Sequence, residues 1–108
     1  MKTFRTLELA IEFHGLIDSM EIQGHLRDQL FRATTSISLN LSEGNAKRSA
    51  KEKKRFYQTA YASLQECKTI LQLTKSKDEK IIDTADKLGA WIFNLLKSEI
   101  PTLDFRNT

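Results

Sequence analysis

Apolar residues recur every three or four positions in four successive blocks of the sequence, the spacing that places side chains on one face of an α-helix. With one proline and four glycines in 108 residues, these blocks run long without a helix-breaking residue. The pattern predicts four helices, over Thr3–Asp18, Gly24–Glu43, Ala50–Thr74 and Lys77–Ile100. The predicted buried face of the first helix consists of Leu7, Ala10, Ile11, His14 and Ile17.

Residues that favour helix starts and stops lie at the predicted boundaries. Gly44 is placed to end the second helix in a left-handed conformation, and Pro101 is placed to end the fourth. In a capping box, a serine oxygen accepts a free backbone N–H at the start of a helix while a glutamate three residues later reaches back. Two such boxes are predicted: Ser49 with Glu52, and Ser76 with Glu79.

The connections between the predicted helices are short, so successive helices must run in opposite directions. The sequence therefore predicts an all-α protein whose four helices form an antiparallel, up-down-up-down four-helix bundle. A chain of this length has room for one hydrophobic core, and we expect residues 1–108 to form a single domain.

The sequence argues against a membrane protein and against disulfides. No apolar run approaches the ~18 residues that a transmembrane helix needs. Glu8 and Glu12 interrupt the N-terminal segment, where a signal peptide would have its apolar core. The lone cysteine, Cys67, permits no intrachain disulfide, which fits a reducing compartment. We expect a cytoplasmic protein.

The fourth predicted helix is more apolar than one helical face requires. Within Leu88–Leu96 only Asn94 is polar, so Ala90, Trp91 and Phe93 cannot all lie on the face that carries the core residues. The first helix has a similar surplus at Phe13. This surplus predicts self-association, with Trp91, Phe93 and Phe13 at the interface. The alternative is a wide apolar stripe that covers a thick core.

A line of polar residues follows the second predicted helix beside its core face: Gln29, Arg32, Ser36, Asn40 and Glu43. Ser63 and Glu66 on the third helix are offered as their partners. Because a charge near the core needs a carboxylate and further hydrogen bonds, we expect Arg32 to pair with Glu66 or Glu43 in a structural network. The alternative is an active site of paired acids.

The positive charge of the chain is concentrated in one short segment. Its basic residues are Lys47, Arg48, Lys51, Lys53, Lys54 and Arg55. With one acid, Glu52, the segment carries +5, whereas the whole chain carries +3, so the remainder sums to −2. Cations in the first turns of a helix oppose the helix dipole, and with the free N–H groups there they form an anion site. We expect this segment to bind the phosphate backbone of RNA or DNA; the alternative is a solvated helix end that aids solubility.

No set of residues in the chain matches a catalytic or metal-binding arrangement. A metal site in a helical bundle needs paired Glu-x-x-His motifs, and the chain offers only Glu21 and His25 at a spacing of four. His14 is explained as a packed or half-exposed side chain. Cys67 has no evident base partner, and its place on the apolar line indicates a small buried side chain. We expect no enzymatic activity, cofactor, metal or small-molecule substrate.

The middle of the chain carries motifs that are specific in combination. They are Gln29-Leu30-Phe31-Arg32-Ala33, Ser36-Ile37, Asn40-Leu41-Ser42-Glu43-Gly44, Ser49-Ala50-Lys51-Glu52, Arg55-Phe56, Ala60 and Ser63-Leu64-Gln65-Glu66. Over about Leu26–Leu73 the sequence resembles the 23S rRNA intervening-sequence protein family, also called four helix bundle proteins. It departs from the family pattern at Lys53, Ala62 and Cys67, where an aromatic residue, a glycine and a leucine are usual.

The resemblance implies a closed up-and-down four-helix fold and, in members of similar type, ring-like homopentamers. Some members are encoded in insertions within 23S rRNA genes. Distant relatives are accessory proteins of diversity-generating retroelements, where a basic pentamer engages nucleic acid and a reverse transcriptase. We therefore expect a homo-oligomer, specifically a pentamer, that binds nucleic acid. The alternative is an adaptor that binds another protein and makes no direct contact with nucleic acid.

Overall fold

The computed structural model of the chain describes residues 2–22 and 24–107, and the side chains of residues 4–22 and 24–98. Within these residues the backbone forms four α-helices and no strand: α1 (Lys2–Asp18), α2 (His25–Ala46), α3 (Ala50–Leu73) and α4 (Glu79–Asn107). The prediction of an all-α protein with four helices is confirmed.

Each helix packs against two of the others. α1 contacts α2 and α4, and α3 contacts the same two helices. Ser36 Oγ on α2 lies 2.8 Å from Ser63 Oγ on α3, and the ammonium of Lys68 on α3 lies 2.9 Å from Asp86 Oδ1 on α4. The buried apolar residues of all four helices form one cluster.

The buried face of α1 differs from the predicted one. It consists of Thr6, Leu9, Ala10, Phe13 and Ile17, whereas Ile11 is 57% exposed. The predicted and observed faces share Ala10 and Ile17, and both have helical spacing. The sequence pattern did not indicate this face, because a buried face is predicted from apolar residues and Thr6 is polar.

Gly44 is needed for close packing and not for a helix stop. α2 continues past it to Ala46, and the positive φ values among the described residues belong to Gly24 and Lys75. A Cβ at position 44 would lie 2.6 Å from Cε1 of Tyr57, closer than two carbon atoms can approach without a shift. The prediction that Gly44 ends α2 in a left-handed conformation is therefore wrong; the Tyr57 ring occupies the space that a side chain would need.

The start of α3 is as predicted, whereas the end of α4 is not. Ser49 Oγ accepts the backbone N–H of Glu52 at 3.1 Å, which caps α3. α4 continues through Pro101 to Asn107, so the prediction that Pro101 ends the helix is wrong. Proline removes one backbone hydrogen bond, but its fixed φ is compatible with a helix.

α4 begins two residues later than predicted. Asp78 Oδ1 accepts the backbone N–H of Ile81 at 3.2 Å, and the helix starts at Glu79. The predicted capping box of Ser76 with Glu79 does not form. Asp78 replaces it because a carboxylate both satisfies a free N–H group and is stabilised by the positive end of the helix dipole.

Gly44→Ala should destabilise the protein, because the new methyl group must displace the Tyr57 ring, and overpacking of this kind costs about 1–3 kcal/mol. Gly15→Ala is the matched control in α1: a Cβ there meets nothing within 4 Å. Alanine at this position should stabilise the helix by up to about 1 kcal/mol. Urea unfolding followed by circular dichroism measures both changes. Wild-type stability in Gly44→Ala would show that Tyr57 does not pack against this residue.

Candidate nucleic-acid interface

The basic cluster lies where α2 ends and α3 begins. We use this name for Lys47, Arg48, Lys51, Lys53, Lys54 and Arg55. Arg48, Lys51 and Arg55 are exposed, and the three others are half-buried. The structure brings all six to one joint of the chain, but it does not give them the same role.

Lys53 forms hydrogen bonds with the C-terminal end of α2. Its ammonium donates hydrogen bonds to the carbonyls of Gly44 and Asn45, at 3.2 and 3.3 Å. Carbonyls in the last turn of a helix lack the usual partner four residues on, and a cation beside them is stabilised by the helix dipole. Lys53 was predicted to contact phosphate; this stays a prediction, but the ammonium already has two hydrogen-bond partners within the protein.

Two members of the basic cluster flank the half-buried ring of Phe56. The Lys47 ammonium and the Arg55 guanidinium carbon lie 5.3 and 5.2 Å from the ring centroid, within the range of cation–π interactions. Lys47 Nζ also lies 3.7 Å from Glu43 Oε1. The charge of Lys47 is therefore partly compensated, whereas that of Arg55 stays exposed beside the ring.

Arg48, Lys51 and Lys54 form the uncompensated part of the basic cluster. None of them takes part in the ion pairs found between described side chains. They lie at the start of α3, where backbone N–H groups without an intrahelical partner add further positive potential. Such an arrangement suits an anion that approaches from solvent.

Two residues of the predicted polar line on α2, Ser36 and Asn40, form a hydrogen-bond network with Ser63 of α3. Ser36 Oγ lies 2.8 Å from Ser63 Oγ, and the Asn40 side-chain amide donates to the Ser36 carbonyl and hydroxyl at 2.8 and 3.1 Å. Ser63 is buried, and Ser36 and Asn40 are half-buried. The network joins the two helices beside the core.

The other residues of the predicted polar line, and its second predicted partner on α3, lie outside this network. They are all exposed: Gln29, Arg32, Glu43 and Glu66. Arg32 and Glu66 line an open groove of about 320 Å³, and no ion pair of Arg32 is found among the described residues. The expected buried pair of Arg32 with a carboxylate is wrong. Successive residues of this line are three or four positions apart, whereas a helix has about 3.6 residues per turn, so they do not all lie at the same angle around α2. Arg32 lies on the solvent side of the line and is exposed, whereas Asn40 lies closer to the core and is half-buried.

The three residues predicted at an oligomer interface do not share one surface. Phe13 is 0% exposed and belongs to the core, so its prediction is wrong for the same reason that the face of α1 was misplaced. Trp91 is half-buried beside Arg5 of α1, whereas Phe93 is 50% exposed beside Tyr61 of α3. Trp91 and Phe93 therefore contact different neighbours of α4.

An exposed apolar face, which the sequence reading missed, lies on α1 and α2. We call it the apolar face; it comprises Phe4, Ile11, Phe31 and Leu39, which are 58%, 57%, 45% and 61% exposed. Ile11 and Leu39 line one shallow groove, and the His14 ring in that groove lies 4.8 Å from the Phe31 ring. The available signal was Leu39, which lies on the opposite side of α2 from the buried Leu30 and Leu41.

His14 and Cys67 are packed as predicted. His14 Nδ1 lies 2.7 Å from the Thr34 hydroxyl, which also lies within hydrogen-bond distance of the Phe31 carbonyl. Cys67 is 0% exposed, and its burial, with a smaller contribution from the charge of Glu66, raises the pKa of the thiol to about 12. The thiol therefore stays protonated at neutral pH and is a poor nucleophile.

In the part of the chain that the structure describes, no group of three or more His, Cys, Asp or Glu side chains is arranged to hold a metal ion. Nor does any helix of this part have an apolar stretch that could span a bilayer.

The helices and the basic cluster define a class of small all-α proteins with exposed cations at the joint between two helices. Comparison with family models is more specific: the model of the 23S rRNA-intervening sequence protein matches residues 5–98. The chain belongs to this family, which confirms the resemblance drawn from its motifs. No curated protein and no solved structure matches the chain.

Arg32→Ala should change the free energy of unfolding by no more than about 0.5 kcal/mol, because the side chain is exposed. Ser63→Ala should cost about 1–2 kcal/mol, because it removes a buried hydrogen bond to Ser36. Urea unfolding of the two variants side by side makes the comparison. A large loss in Arg32→Ala with none in Ser63→Ala would favour the buried ion pair that the sequence suggested.

Proposed function

We propose that the protein is a homo-oligomer that binds the backbone of RNA or DNA through Arg48, Lys51 and Lys54, with Arg55 beside them. One observation carries this proposal: these three residues have no carboxylate partner among the described side chains, although they lie at the positive end of α3. Each exposed cation in that position costs about 0.3–1 kcal/mol. A bound phosphate would remove the conflict.

Membership of the family supports RNA as the ligand, since the family takes its name from the intervening sequences of 23S rRNA. The contacts that basic residues make within the protein also support the choice of Arg48, Lys51 and Lys54. Lys53 is already engaged by carbonyls of α2 and Lys47 by Glu43, whereas the proposed contacts are uncompensated. Phosphate oxygens are the anions that such a cluster would meet along a nucleic acid.

The proposed arrangement of the chain is a single antiparallel, up-down-up-down bundle. Each helix packs against its neighbour in sequence, and the first helix, α1, also packs against the last, α4, which closes the four-helix bundle. The joint between α2 and α3 spans only residues 47–49, so the chain must reverse there. This arrangement places the basic cluster at one end of the bundle.

Self-association is proposed to bury the apolar face. Soluble monomers rarely expose a large contiguous apolar patch. Ile11 and Leu39 line one groove, the His14 ring in that groove lies beside Phe31, and the exposed Phe4 lies about two turns before Ile11 on α1. The resemblance to ring-forming members of the family supports a pentamer. A ring would repeat the basic cluster on every subunit, so weak contacts along one strand would act at a raised effective concentration.

An adaptor that binds another protein is the second candidate, and the apolar face is the observation that favours it. Such a partner would cover Ile11 and Leu39 and would make no use of the basic cluster. Binding to a protein through this face would be insensitive to salt, whereas binding to phosphates would not. The proposal also includes a cytoplasmic location and no catalytic role, cofactor or metal. The buried Cys67 thiol, whose pKa is raised to about 12, offers no nucleophile at neutral pH.

The affinity for RNA should fall with salt, with a slope of log K against log salt of about −2 to −3.6, as expected when three or four phosphates are neutralised. A triple variant, Arg48→Gln with Lys51→Gln and Lys54→Gln, should lose binding at physiological salt and retain its helical circular dichroism. Fluorescence anisotropy with labelled single strands and duplexes measures both affinity and slope.

The matched control removes the same charge from the other joint of α3. Lys75, Lys77 and Lys80 are exposed, and a helix of 24 residues places them about 36 Å from the basic cluster. Their replacement by Gln should leave binding close to that of the wild type. Equal loss in both triple variants would mean that only net charge matters, and no binding of the wild type at low salt would remove the proposal in favour of the adaptor.

Leu39→Lys should dissociate the oligomer without unfolding the subunit, because Leu39 is 61% exposed in the single chain and lines the groove of the apolar face. Leu73→Lys is the matched control, since Leu73 is 63% exposed at the end of α3, away from that face. Sedimentation velocity gives the size of each species. A wild type that is monomeric at micromolar concentration, or a Leu39→Lys variant that stays assembled, would contradict the proposed interface.

A further inference from the structure

A groove between α1 and α4 combines an aromatic ring with cationic and amide side chains. Arg5, Thr6, Trp91 and Asn94 line it, and its volume is about 190 Å³. Trp91 is half-buried, and Arg5 and Asn94 are exposed. The groove is separate from the basic cluster, which lies on α2 and α3.

Two cations lie against the Trp91 ring, one from each helix. The Arg5 guanidinium carbon is 5.4 Å and the Lys87 ammonium 4.9 Å from the ring centroid. Neither residue takes part in the ion pairs found between described side chains. Two positive charges therefore meet at one aromatic ring with no carboxylate paired to either among those side chains.

These groups match the parts of a nucleotide. An aromatic ring stacks on any base, arginine and lysine neutralise phosphate, and asparagine pairs with a base edge. Pockets that enclose a whole small molecule measure about 300–1,000 Å³. The groove is smaller, at about 190 Å³, which suits one planar base of a longer chain.

We propose that this groove binds one nucleotide of a single strand: its base displaces a cation from the Trp91 ring and stacks there, and Arg5 and Lys87 hold its phosphate at the edge of the ring. The inference rests on the proposed nucleic-acid binding and deepens it. The basic cluster supplies attraction to any phosphate backbone, whereas the Trp91 groove selects unpaired bases. A base inside a duplex is stacked between its neighbours and is not free to stack on a side chain.

The groove lies within reach of the basic cluster along one strand. Phe93, two residues after Trp91, contacts Tyr61 of α3, and Tyr61 lies about 9 Å along the helix axis from Arg55. The molecule measures 22 × 21 Å across its two shorter dimensions. At about 3.4 Å or more per nucleotide, a strand of roughly six nucleotides spans that width.

Trp91 is the single tryptophan of the chain, so its fluorescence reports on this groove alone. A short single-stranded RNA should quench the emission as it binds. An abasic strand of the same length, which offers phosphates without bases, should bind through the basic cluster and leave the emission unchanged. A duplex of the same length should behave like the abasic strand.

Variants separate stacking from charge. Trp91→Leu should weaken binding of the single-stranded RNA about fivefold or more and leave the affinity for the abasic strand unchanged, as measured by anisotropy of labelled strands. Trp91→Phe should recover most of the loss and keeps the test valid if Trp91→Leu fails to fold. Phe93→Leu is the matched control, because Phe93 is an aromatic residue of the same helix that contacts α3; it should bind like the wild type.

Different failures have different meanings. If RNA binds without quenching, or the abasic strand quenches equally, stacking on Trp91 is wrong while phosphate binding stands. If acrylamide cannot quench Trp91 in the purified oligomer, a second copy of the chain covers the groove and the nucleotide site is overturned. If no strand binds the wild type at low salt, the proposed function fails, and this inference fails with it.

Discussion

The Tyr57 ring lies against the bare backbone of Gly44, and this contact sets the distance between α2 and α3 at the joint of the two helices. The Tyr57 hydroxyl donates to Asn45 Oδ1 at 2.8 Å, and Lys53, one turn earlier, donates to the carbonyls of Gly44 and Asn45. A side chain at position 44 would force the ring away and separate these groups. The position of the whole basic cluster depends on this joint, because its residues lie on the connection and on the first turns of α3.

The same joint gives the cations different environments. The negative end of the α2 dipole lies beside the positive end of the α3 dipole. The positive charge of Lys53 lies beside the negative end of the α2 dipole, which is favourable. The charges of Arg48 and Lys51 lie beside the positive end of the α3 dipole, which is unfavourable. Lys47 and Arg55 lie against Phe56, an intermediate case. This asymmetry, and not the net charge of +3, is the physical reason to look for an external anion.

Three kinds of surface lie on three different pairs of helices. The basic cluster is at the joint of α2 and α3, the apolar face is on α1 and α2, and the Trp91 groove is between α1 and α4. None of the residues that define one surface belongs to another. Assembly through the apolar face would therefore leave the proposed phosphate contacts and the Trp91 groove open, which is what a nucleic-acid-binding oligomer requires.

The four helices, the family, the segment that holds the cations and the polar residues near the core could be predicted from the sequence, because helical periodicity, capping and charge are local properties of the chain. The packing of the helices was needed to establish which side of α1 is buried, where Phe13 replaces Ile11, and that Arg32 faces solvent. It alone showed that Gly44 makes room for a ring and that Lys53 caps α2. Each of these depends on a side chain from another helix, and the distance and orientation of that neighbour are absent from any local pattern.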